Sequence, residues 1–327
     1  MAQFRSLQVS DVREILIQFG FAPDEYQGHQ PIAVGTVNTN VRVQTAFGPR
    51  FLRINEGKTL DDVVREAAIV AYVAERGVPT PAPALSTRGE PFARWAGQFA
   101  SLFPWRAGRT LERRDVTSAH AAQAGTALAK LHRAGEAFPD HRAGRYEPDE
   151  IDRRLVRLVE PAAGFDAAVA SAAAILRPEL ATLQRERRPD VPVGLIHGDL
   201  FIDNVIYDGA ELAALLDFEQ ASWGRWVYDV AVTLLAFTFG PEDFRPELVR
   251  AQLDAYAAER PFTDVERAAF GAELRFSACR FAVTRITDVY LKRTAGAAPG
   301  KDFRRYLQRL ARVQEHLVAG DGLLDLP

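Results

Sequence analysis

A short window in the second half of the chain concentrates the side chains best suited to chemistry. The triplet His197-Gly-Asp199 follows an apolar, strand-like run, Asn204 comes five residues later, and Asp217 ends another apolar run. The oxygens of Asn204 and Asp217 suit Mg²⁺, a metal that retains water and takes its remaining ligands from nucleotide phosphates. A further carboxylate that stays off the metal, here Asp199, can orient a hydroxyl group and accept its proton. This combination predicts phosphoryl transfer from a nucleotide to a hydroxyl.

The same triplet taken alone would indicate only a turn, because aspartate and glycine are frequent in turns for conformational reasons. Two further polar residues that follow the triplet favour a chemical role. Asn204 and Asp217 stand at positions where two later strands begin and end. We therefore interpret the window as a site, with Asp199 as catalytic base and with Asn204 and Asp217 as ligands of Mg²⁺.

Local patterns predict the elements that position this window. The run 193–197 is apolar and short enough for a strand, and it delivers His197 and Asp199. The runs 204–207 and 212–218 flank Asp208-Gly209, and an Asp-Gly pair between apolar runs is a strong hairpin signal. The hairpin would carry the chain from Asn204 to Asp217.

The remainder of the chain divides into a smaller β-containing front and a larger helical back. For the front, apolar periodicity predicts two helices and five strands, at 9–19 and 59–76 and at 31–36, 40–47, 50–55, 91–95 and 98–103. Gly48-Pro49 is predicted to turn the central hairpin. For the back, helical patterns extend over 117–134, 151–158, 167–187, 226–239, 246–260, 263–291 and 302–319. The prediction is an α+β, two-lobed chain, with a nucleotide-binding lobe at 1–103 and a catalytic and substrate lobe at 104–327.

The order of these motifs resembles the protein-kinase-like small-molecule kinases. His-Gly-Asp-Leu-Phe-x-Asp-Asn is followed by Leu-Leu-Asp-Phe and then by Tyr228-Asp229-Val-Ala. That superfamily includes aminoglycoside phosphotransferases, choline kinases and a type of bacterial homoserine kinase. The resemblance implies a bilobal kinase-like fold with nucleotide between the lobes, and use of ATP and Mg²⁺. It also implies Asp199 as base, Asn204 and Asp217 as magnesium ligands, and Asp229 as a brace for the catalytic loop.

Within the superfamily the homoserine kinase branch looks most similar. The similarity rests on the turn 35–40, on Leu-Phe inside the catalytic motif, on the helix 125–132 and on the late segment 301–306. Together these matches extend from about residue 30 to 310. They imply a homoserine kinase-like enzyme.

The front portion offers groups for a nucleotide, although it has no G-x-G-x-x-G motif. Around the turn at 34–43, Thr36, Asn38 and Thr39 can donate hydrogen bonds to phosphate oxygens. Arg53 stands where kinase-like proteins usually carry a phosphate-binding lysine, and arginine can bind phosphate bidentately. Glu66, on the following helix, resembles the acidic partner of that cation. A plain hairpin and solvent-exposed charges remain the alternative interpretation.

The segment 101–103 is predicted to be a connector between the two portions. It follows a strand and precedes Pro104, where an adenine ring would meet backbone donors and acceptors. Ser101 and Phe103 are therefore candidate nucleotide contacts.

Composition excludes several other functional classes. Forty Lys and Arg against 43 Asp and Glu give a net charge of −3, which argues against a nucleic-acid partner. A single cysteine, Cys279, excludes an intrachain disulfide and multi-cysteine metal sites. The longest apolar stretch, 230–239, is too short to span a bilayer, and the first residues do not resemble a signal peptide. We expect a cytoplasmic enzyme without a membrane partner.

The phosphate acceptor is predicted to be a small hydroxyl-bearing molecule with an amine, with homoserine as the best single candidate. Its amine could meet an acid near the catalytic loop, Asp203 or Glu219. Its carboxylate needs an arginine, because the guanidinium fork binds carboxylates bidentately. The candidates are Arg225, Arg280 and Arg285.

Other acceptors stay open at this point. Choline or ethanolamine would require an aromatic cage, for which Trp223, Trp226 and Tyr228 are candidates. An aminoglycoside would favour a strongly acidic back portion, and a protein serine or threonine is a further alternative. A nucleotide-binding pseudokinase is the alternative outside catalysis, because Arg53 replaces the usual lysine.

Overall fold

The computed structural model describes residues 6–32, 38–159, 167–292 and 302–327. These residues fall into two compact units. The first takes its residues from 1–109, 206–209 and 213–219, and the second from 110–205, 210–212 and 220–327. Residues 206–209 and 213–219 thus belong to the first unit although they follow the catalytic motif in the chain. The functional division at residues 103 and 104 stays a prediction.

The first unit is built on a five-stranded antiparallel sheet with the strand order β1-β2-β3-β5-β4. Its elements are α1 (Val9–Gln18), β1 (Tyr26–Ile32), β2 (Thr39–Thr45), β3 (Gly48–Asn55), α2 (Leu60–Glu75), β4 (Ala93–Trp95) and β5 (Gln98–Pro104). Alternate residues of β2, such as Val41 and Val43, are buried, which is the two-residue period of a strand with one covered face. Helix α1 packs Ile15 and Leu16 into the same core.

The sequence placed the central hairpin correctly but placed its turn wrongly. The chain turns at residues 46–47, and Gly48 and Pro49 are the first residues of β3. The Thr45 hydroxyl closes this turn, because it donates to the Gly48 carbonyl at 2.8 Å and accepts from the Phe47 N–H at 3.2 Å. Strand β1 lies earlier than the predicted 31–36, and residues 33–36 are outside the described part of the chain.

The second unit is mainly helical, as the periodicity predicted. Its helices are α3 (Ser118–Gly135), α4 (Pro148–Val159), α5 (Ala167–Glu186), α6 (Trp226–Phe237), α7 (Pro246–Glu259), α8 (Asp264–Arg285) and α9 (Arg304–Ala319). The predicted helix 263–291 continues beyond α8 as a π-helical turn, Ile286–Tyr290. Strands β6 (Val193–Ile196) and β9 (Ser222–Arg225) pair antiparallel. The predicted Asp-Gly hairpin is present as β7 (Val205–Asp208) and β8 (Glu211–Leu215), most of whose residues belong to the first unit.

The length and hydropathy of the helices show whether any of them could cross a membrane. Within the ranges that the structure describes, no helix combines the length and the apolar character that crossing a bilayer requires.

Candidate active site

The catalytic motif begins at the end of β6, where the backbone makes a turn that glycine permits. Gly198 has φ of 74°, which side chains other than glycine rarely adopt. A Cβ at this position would also lie 2.9 Å from the Gln220 carbonyl oxygen. The positive φ and the close approach both require glycine at position 198. The turn places Asp199 in the loop that follows the strand.

Asp229, on α6, holds this turn in place. It is fully buried, and its carboxylate accepts the N–H of His197 at 2.7 Å and that of Gly198 at 2.8 Å. His132 lies 3.1 Å away through Nε2. Because a carboxylate only accepts, Nε2 carries the proton, and Nδ1 then accepts from the Tyr256 hydroxyl at 2.7 Å. This arrangement matches the bracing role that the resemblance implies for Asp229, and it explains His132 as a packed core residue.

The surroundings of Asp229 and His132 determine the protonation states of these two side chains. Burial by itself would raise the pKa of Asp229, but the hydrogen bonds from the His132 ring and from the His197 amide more than offset it, and the pKa lies below its ordinary value. Burial lowers the pKa of His132, so the ring is neutral at pH 7. A carboxyl group whose pKa is depressed by folding stabilises the folded state above its unfolded pKa. That contribution disappears as the pH falls through the folded pKa.

Replacing the brace should cost much of the stability of the second unit. We expect Asp229→Ala to lower the free energy of unfolding by about 3 kcal/mol or more, because two buried N–H groups and His132 lose their acceptor. Urea unfolding at pH 7 measures this. Asp190→Ala, which removes an exposed carboxylate paired with Arg188, is the control and should change stability little. Equal stability of Asp229→Ala and the parent chain would contradict the bracing role.

Asp199 and Asn204 lie together in the loop after β6. The Asn204 side-chain amide donates to the Asp199 backbone carbonyl at 2.8 Å. Since its nitrogen is used, the side-chain oxygen of Asn204 is the atom available for a cation. The Asp199 carboxylate is partly exposed, and Oδ1 lies 3.5 Å from Nη1 of Arg280. The second unit thus brings two of the three predicted chemical residues together.

Asp217 belongs to the first unit, directly after β8. It is exposed and has φ of 62°, one of two positive values among the described non-glycine residues. A left-handed backbone costs a residue with a Cβ about 1 kcal/mol or more, and aspartate tolerates it better than most. Backbone strain of this kind is frequent at functional positions. The observation is consistent with the prediction of Asp217 as a magnesium ligand, which stays a prediction.

The first unit also assembles a group of partly buried charges. Arg53 Nη2 lies 2.8 Å from the Glu66 carboxylate, and Lys58 Nζ lies 2.9 Å from Glu66 and 2.7 Å from Glu219. Burial would lower the pKa of Arg53, but Glu66, Glu219 and Asp217 more than offset it, so its pKa is raised. Burial would likewise raise the pKa of Glu66, but Arg53 and Lys58 lower it. Arg53 and Glu66 are therefore both charged near pH 7.

Lys58 is the residue of this group that sequence reasoning missed. The pairing of Arg53 with Glu66 was predicted, whereas Lys58 received no role. A signal was present, since a lysine between a strand and the start of α2 stands next to a helix N-terminus that attracts anions. Glu219, predicted as a partner of the acceptor's amine, instead accepts from Lys58 and from the side-chain amide of Asn38 at 2.7 Å.

The predicted phosphate turn is described only in part. Thr36 lies outside the described residues. Asn38 is buried, donates to Glu219 and accepts from the backbone of Glu56 at 3.2 Å. The Thr39 hydroxyl donates to the Glu56 carboxylate at 3.1 Å. Both side chains therefore have partners in the protein, and their roles toward phosphate stay predictions.

The predicted connector at 101–103 is wrong as an element, because these residues lie within strand β5. Ser101 is paired with Arg53 and Phe103 with Phe51 on β3, and the Leu102 carbonyl accepts from Ala84 at 2.7 Å. Strand β3 pairs with β5 as far as Arg50 opposite Pro104, so β5 continues as a strand through residues 101–103. Ser101 and Phe103 do line a small cavity together with Arg53 and Glu66. Their contact with adenine stays a prediction.

A cavity of about 360 Å³ opens beside Asp199, formed entirely by residues of the second unit. Its charged lining is predominantly basic. It comprises five described arginines and three aspartates, namely Arg113, Arg280, Arg285, Arg305, Arg309, Asp199, Asp203 and Asp288. Burial and neighbouring arginines lower the pKa of Arg113 and Arg285, and burial lowers that of Arg309 to about 10. Crowded, desolvated cations of this kind favour an anionic group in the cavity.

The three aromatic residues considered as an alternative choline cage do not form one. Trp226 stacks on His132, Trp223 stacks on His141 with ring centroids 3.8 Å apart, and Tyr228 packs against Phe276. None of the three lines the cavity beside Asp199. Arg225, one of the candidates for a carboxylate, instead lies 2.8 Å from the buried carboxylate of Glu273.

Comparison with known proteins agrees with this geometry. The model of the Phosphotransferase enzyme family (APH) matches residues 28–270, which is most of the chain. The chain belongs to that family. A homoserine kinase of Nitrobacter hamburgensis is 32% identical over 333 residues, covering 99% of this chain and all of the relative. The chain is therefore a small-molecule phosphotransferase of the kinase class, similar over its whole length to homoserine kinases.

Solved structures support the fold. An aminoglycoside phosphotransferase from Alicyclobacillus acidocaldarius superposes with a TM-score of 0.68 at 15% identity, covering 97% of this chain and 96% of its own. An amicoumacin kinase in complex with AMP-PNP, Ca²⁺ and Ami gives a TM-score of 0.66 at 16% identity, with 94% and 92% covered. The predicted α+β kinase-like fold, with an antiparallel sheet followed by a helical part, is confirmed.

Proposed function

We propose that this phosphotransferase moves the γ-phosphoryl group of ATP to the side-chain hydroxyl of homoserine. The observation that carries the proposal is the cavity in the second unit, where the Asp199 carboxylate lies in a predominantly basic lining. A general base beside cations suits an acceptor that combines a hydroxyl group with an anionic group. The homoserine kinases that resemble the chain over its whole length support the same acceptor.

Residues of the first unit suit the triphosphate. Arg53 and Lys58 are two partly buried cations that are ion-paired with Glu66 and, in the case of Lys58, also with Glu219. Arg53 Nε is buried without a hydrogen-bond partner among the described residues, and it lines the small cavity shared with Ser101 and Phe103. An orphaned donor on a cation is what a phosphate oxygen would satisfy. In this proposal Arg53 takes the place of the usual lysine and Lys58 assists it.

The donor set for a metal also fits. No group of three or more His, Cys, Asp or Glu side chains within the described ranges could hold a metal by itself. Mg²⁺ needs no such cage, since it takes one or two protein oxygens and completes its shell with water and phosphate. We assign these oxygens to Asn204 and Asp217. The ion, when bound, would neutralise charge on the phosphates during transfer.

Asp199 then performs the proton transfer. It accepts a hydrogen bond from the acceptor's hydroxyl and holds its oxygen in line with the γ-phosphorus. A bond forms between that oxygen and phosphorus as the bond to the β–γ bridging oxygen breaks, and ADP leaves. The hydroxyl proton passes to Asp199, which Asp229 holds in position through the backbone of His197 and Gly198.

Two of the alternative acceptors fit the second unit less well. An aminoglycoside carries several positive charges, which the five arginines of the cavity would repel. Choline is recognised by the faces of aromatic rings, and the three candidate aromatic residues pack against other side chains instead of lining the cavity. Cytoplasmic location and the absence of nucleic-acid and membrane partners stay predictions.

The proposal is tested by ADP release with ATP and Mg²⁺ across a panel of acceptors. We expect release with L-homoserine, and none above background with choline, ethanolamine, kanamycin or a generic protein substrate. Mass spectrometry should then find O-phosphohomoserine. Turnover of a different acceptor with no response to homoserine would refute the assignment of the substrate. ATP binding without turnover of any acceptor would favour a pseudokinase.

A further inference from the structure

Arg280, on α8, is the cavity-lining arginine with the most unusual environment. Its side chain is only 4% exposed, and its guanidinium lies over the rings of Phe281, at 3.7 Å, and Tyr146, at 4.3 Å. Nε is buried and has no hydrogen-bond partner among the described residues. Its Nη1 makes a long polar contact, 3.5 Å, with the Asp199 carboxylate. A rigid, desolvated cation with an unsatisfied donor therefore lies beside the catalytic base.

Three other arginines of the cavity donate to backbone carbonyls. Arg113 donates to Ala236 and Phe239 at 3.1 and 2.7 Å, and Arg309 donates to Leu235 at 3.0 Å. Arg285 donates to the Asp302 carbonyl at 3.3 Å. These three supply positive potential and hold elements together. Arg305 is exposed and would have to be ordered before it could bind.

We propose that Arg280 binds the carboxylate of the acceptor and thereby determines specificity for an amino acid over an amino alcohol. The inference rests on the proposed function and goes beyond it, because it names the group that reads the carboxylate. The unsatisfied Nε–H and a terminal N–H of one guanidinium form the fork that a carboxylate matches bidentately. The rings of Tyr146 and Phe281 fix the plane of that fork, so little side-chain entropy is lost on binding.

The position of Arg280 also suits the size of homoserine. The hydroxyl and the carboxylate of this molecule are separated by a short, flexible chain, so their two binding groups must be close neighbours. Asp199 and Arg280 are such neighbours, in contact within the second unit. An acceptor that places its hydroxyl on Asp199 therefore places its carboxylate within reach of Arg280. Asp288, which also lines the cavity, is already paired with Arg154 at 2.8 Å.

The test compares two acceptors in two variants. With L-homoserine, Arg280→Gln should lower kcat/KM by about 10- to 100-fold, mainly through KM, because the charged hydrogen bonds to the carboxylate are lost. With 3-aminopropan-1-ol, which is homoserine without its carboxylate, kcat/KM is expected to be low in the parent enzyme and within threefold of it in the variant. Arg280→Lys keeps the charge without the fork, and its loss with homoserine should be intermediate.

Arg188→Gln is the control, since it removes an exposed arginine of the second unit that does not line the cavity, and it should change kcat/KM for either acceptor by less than threefold. The KM for ATP and the melting temperature verify that each variant is folded. Equal loss of kcat/KM for both acceptors in Arg280→Gln would overturn the proposal, because a merely structural role affects both. A larger loss in Arg285→Gln than in Arg280→Gln would also overturn it.

A binding measurement separates this inference from the proposed function. Calorimetry with 4-hydroxybutanoate, which keeps the carboxylate and the hydroxyl, should give heat with the parent enzyme and at least tenfold weaker binding with Arg280→Gln. If homoserine is not turned over but this difference persists, the assignment of the substrate fails and the carboxylate site stands. If homoserine is turned over and 4-hydroxybutanoate binds both proteins equally, the carboxylate site fails alone.

Discussion

Asp199→Asn should lower kcat for the acceptor by about 10²- to 10⁴-fold while ATP binding stays within a few-fold of the parent enzyme. Asparagine keeps the size of the side chain but cannot accept the hydroxyl proton. The carboxylate is partly exposed, and the contact between the Asp199 backbone carbonyl and Asn204 survives the change. Steady-state kinetics and calorimetry with AMP-PNP measure the two quantities.

The control for this variant is Asp208→Asn, at the β7–β8 turn. Asp208 is exposed, and Asn-Gly is as favourable as Asp-Gly in such a turn. Kinetics close to those of the parent enzyme are expected. Retention of kcat in Asp199→Asn would show that Asp199 is not the catalytic base.

Asp217→Asn should abolish most of the magnesium dependence of nucleotide binding. Removal of a charged ligand should weaken Mg²⁺ affinity more than about 100-fold, since loss of outer-shell partners alone costs about 10- to 100-fold. Asparagine is the informative substitution, because φ of 62° is tolerated by Asn and strained for Ala. The variant therefore changes charge with little change in backbone strain.

Calorimetry with AMP-PNP at increasing Mg²⁺ measures this effect. The affinity of the parent enzyme should rise with Mg²⁺, while that of Asp217→Asn should stay nearly flat. Asn204→Ala should give a smaller change in the same direction, because it removes a neutral ligand. An unchanged magnesium response in Asp217→Asn would exclude Asp217 as a ligand.

The partly buried charges of the first unit show where sequence reasoning stops. Arg53 and Glu66 were identified because each falls at the position of a familiar partner. Lys58 and Glu219 complete the same group, yet they are separated by a long stretch of chain and neither has a periodicity that marks it as buried. Their association depends on the fold of the first unit, which brings residues 213–219 to the same unit as β3 and α2. Such long-range pairing leaves no local signal.

Local backbone chemistry explains what the sequence by itself determined. Helix periodicity, the Asp-Gly turn and the glycine of His197-Gly-Asp199 act over a few residues, and they predicted the helices of the second unit, the β7–β8 hairpin and the loop that carries Asp199. Where two local solutions compete, prediction was less accurate. The central hairpin turns before Gly48-Pro49 because the Thr45 side chain closes a tighter turn.

The tertiary structure alone decided which charges face one another. The sequence did not distinguish Arg225, Arg280 and Arg285 as candidates for a carboxylate. In the structure, Arg225 pairs with buried Glu273 and Arg285 donates to the Asp302 carbonyl. Arg280 lies beside Asp199 with an unsatisfied donor. The aromatic residues considered for a choline cage are likewise packed away from the cavity. Charge and residue type are local properties, whereas burial and partnership follow from packing between distant segments, and these decide which side chains line the cavity beside Asp199.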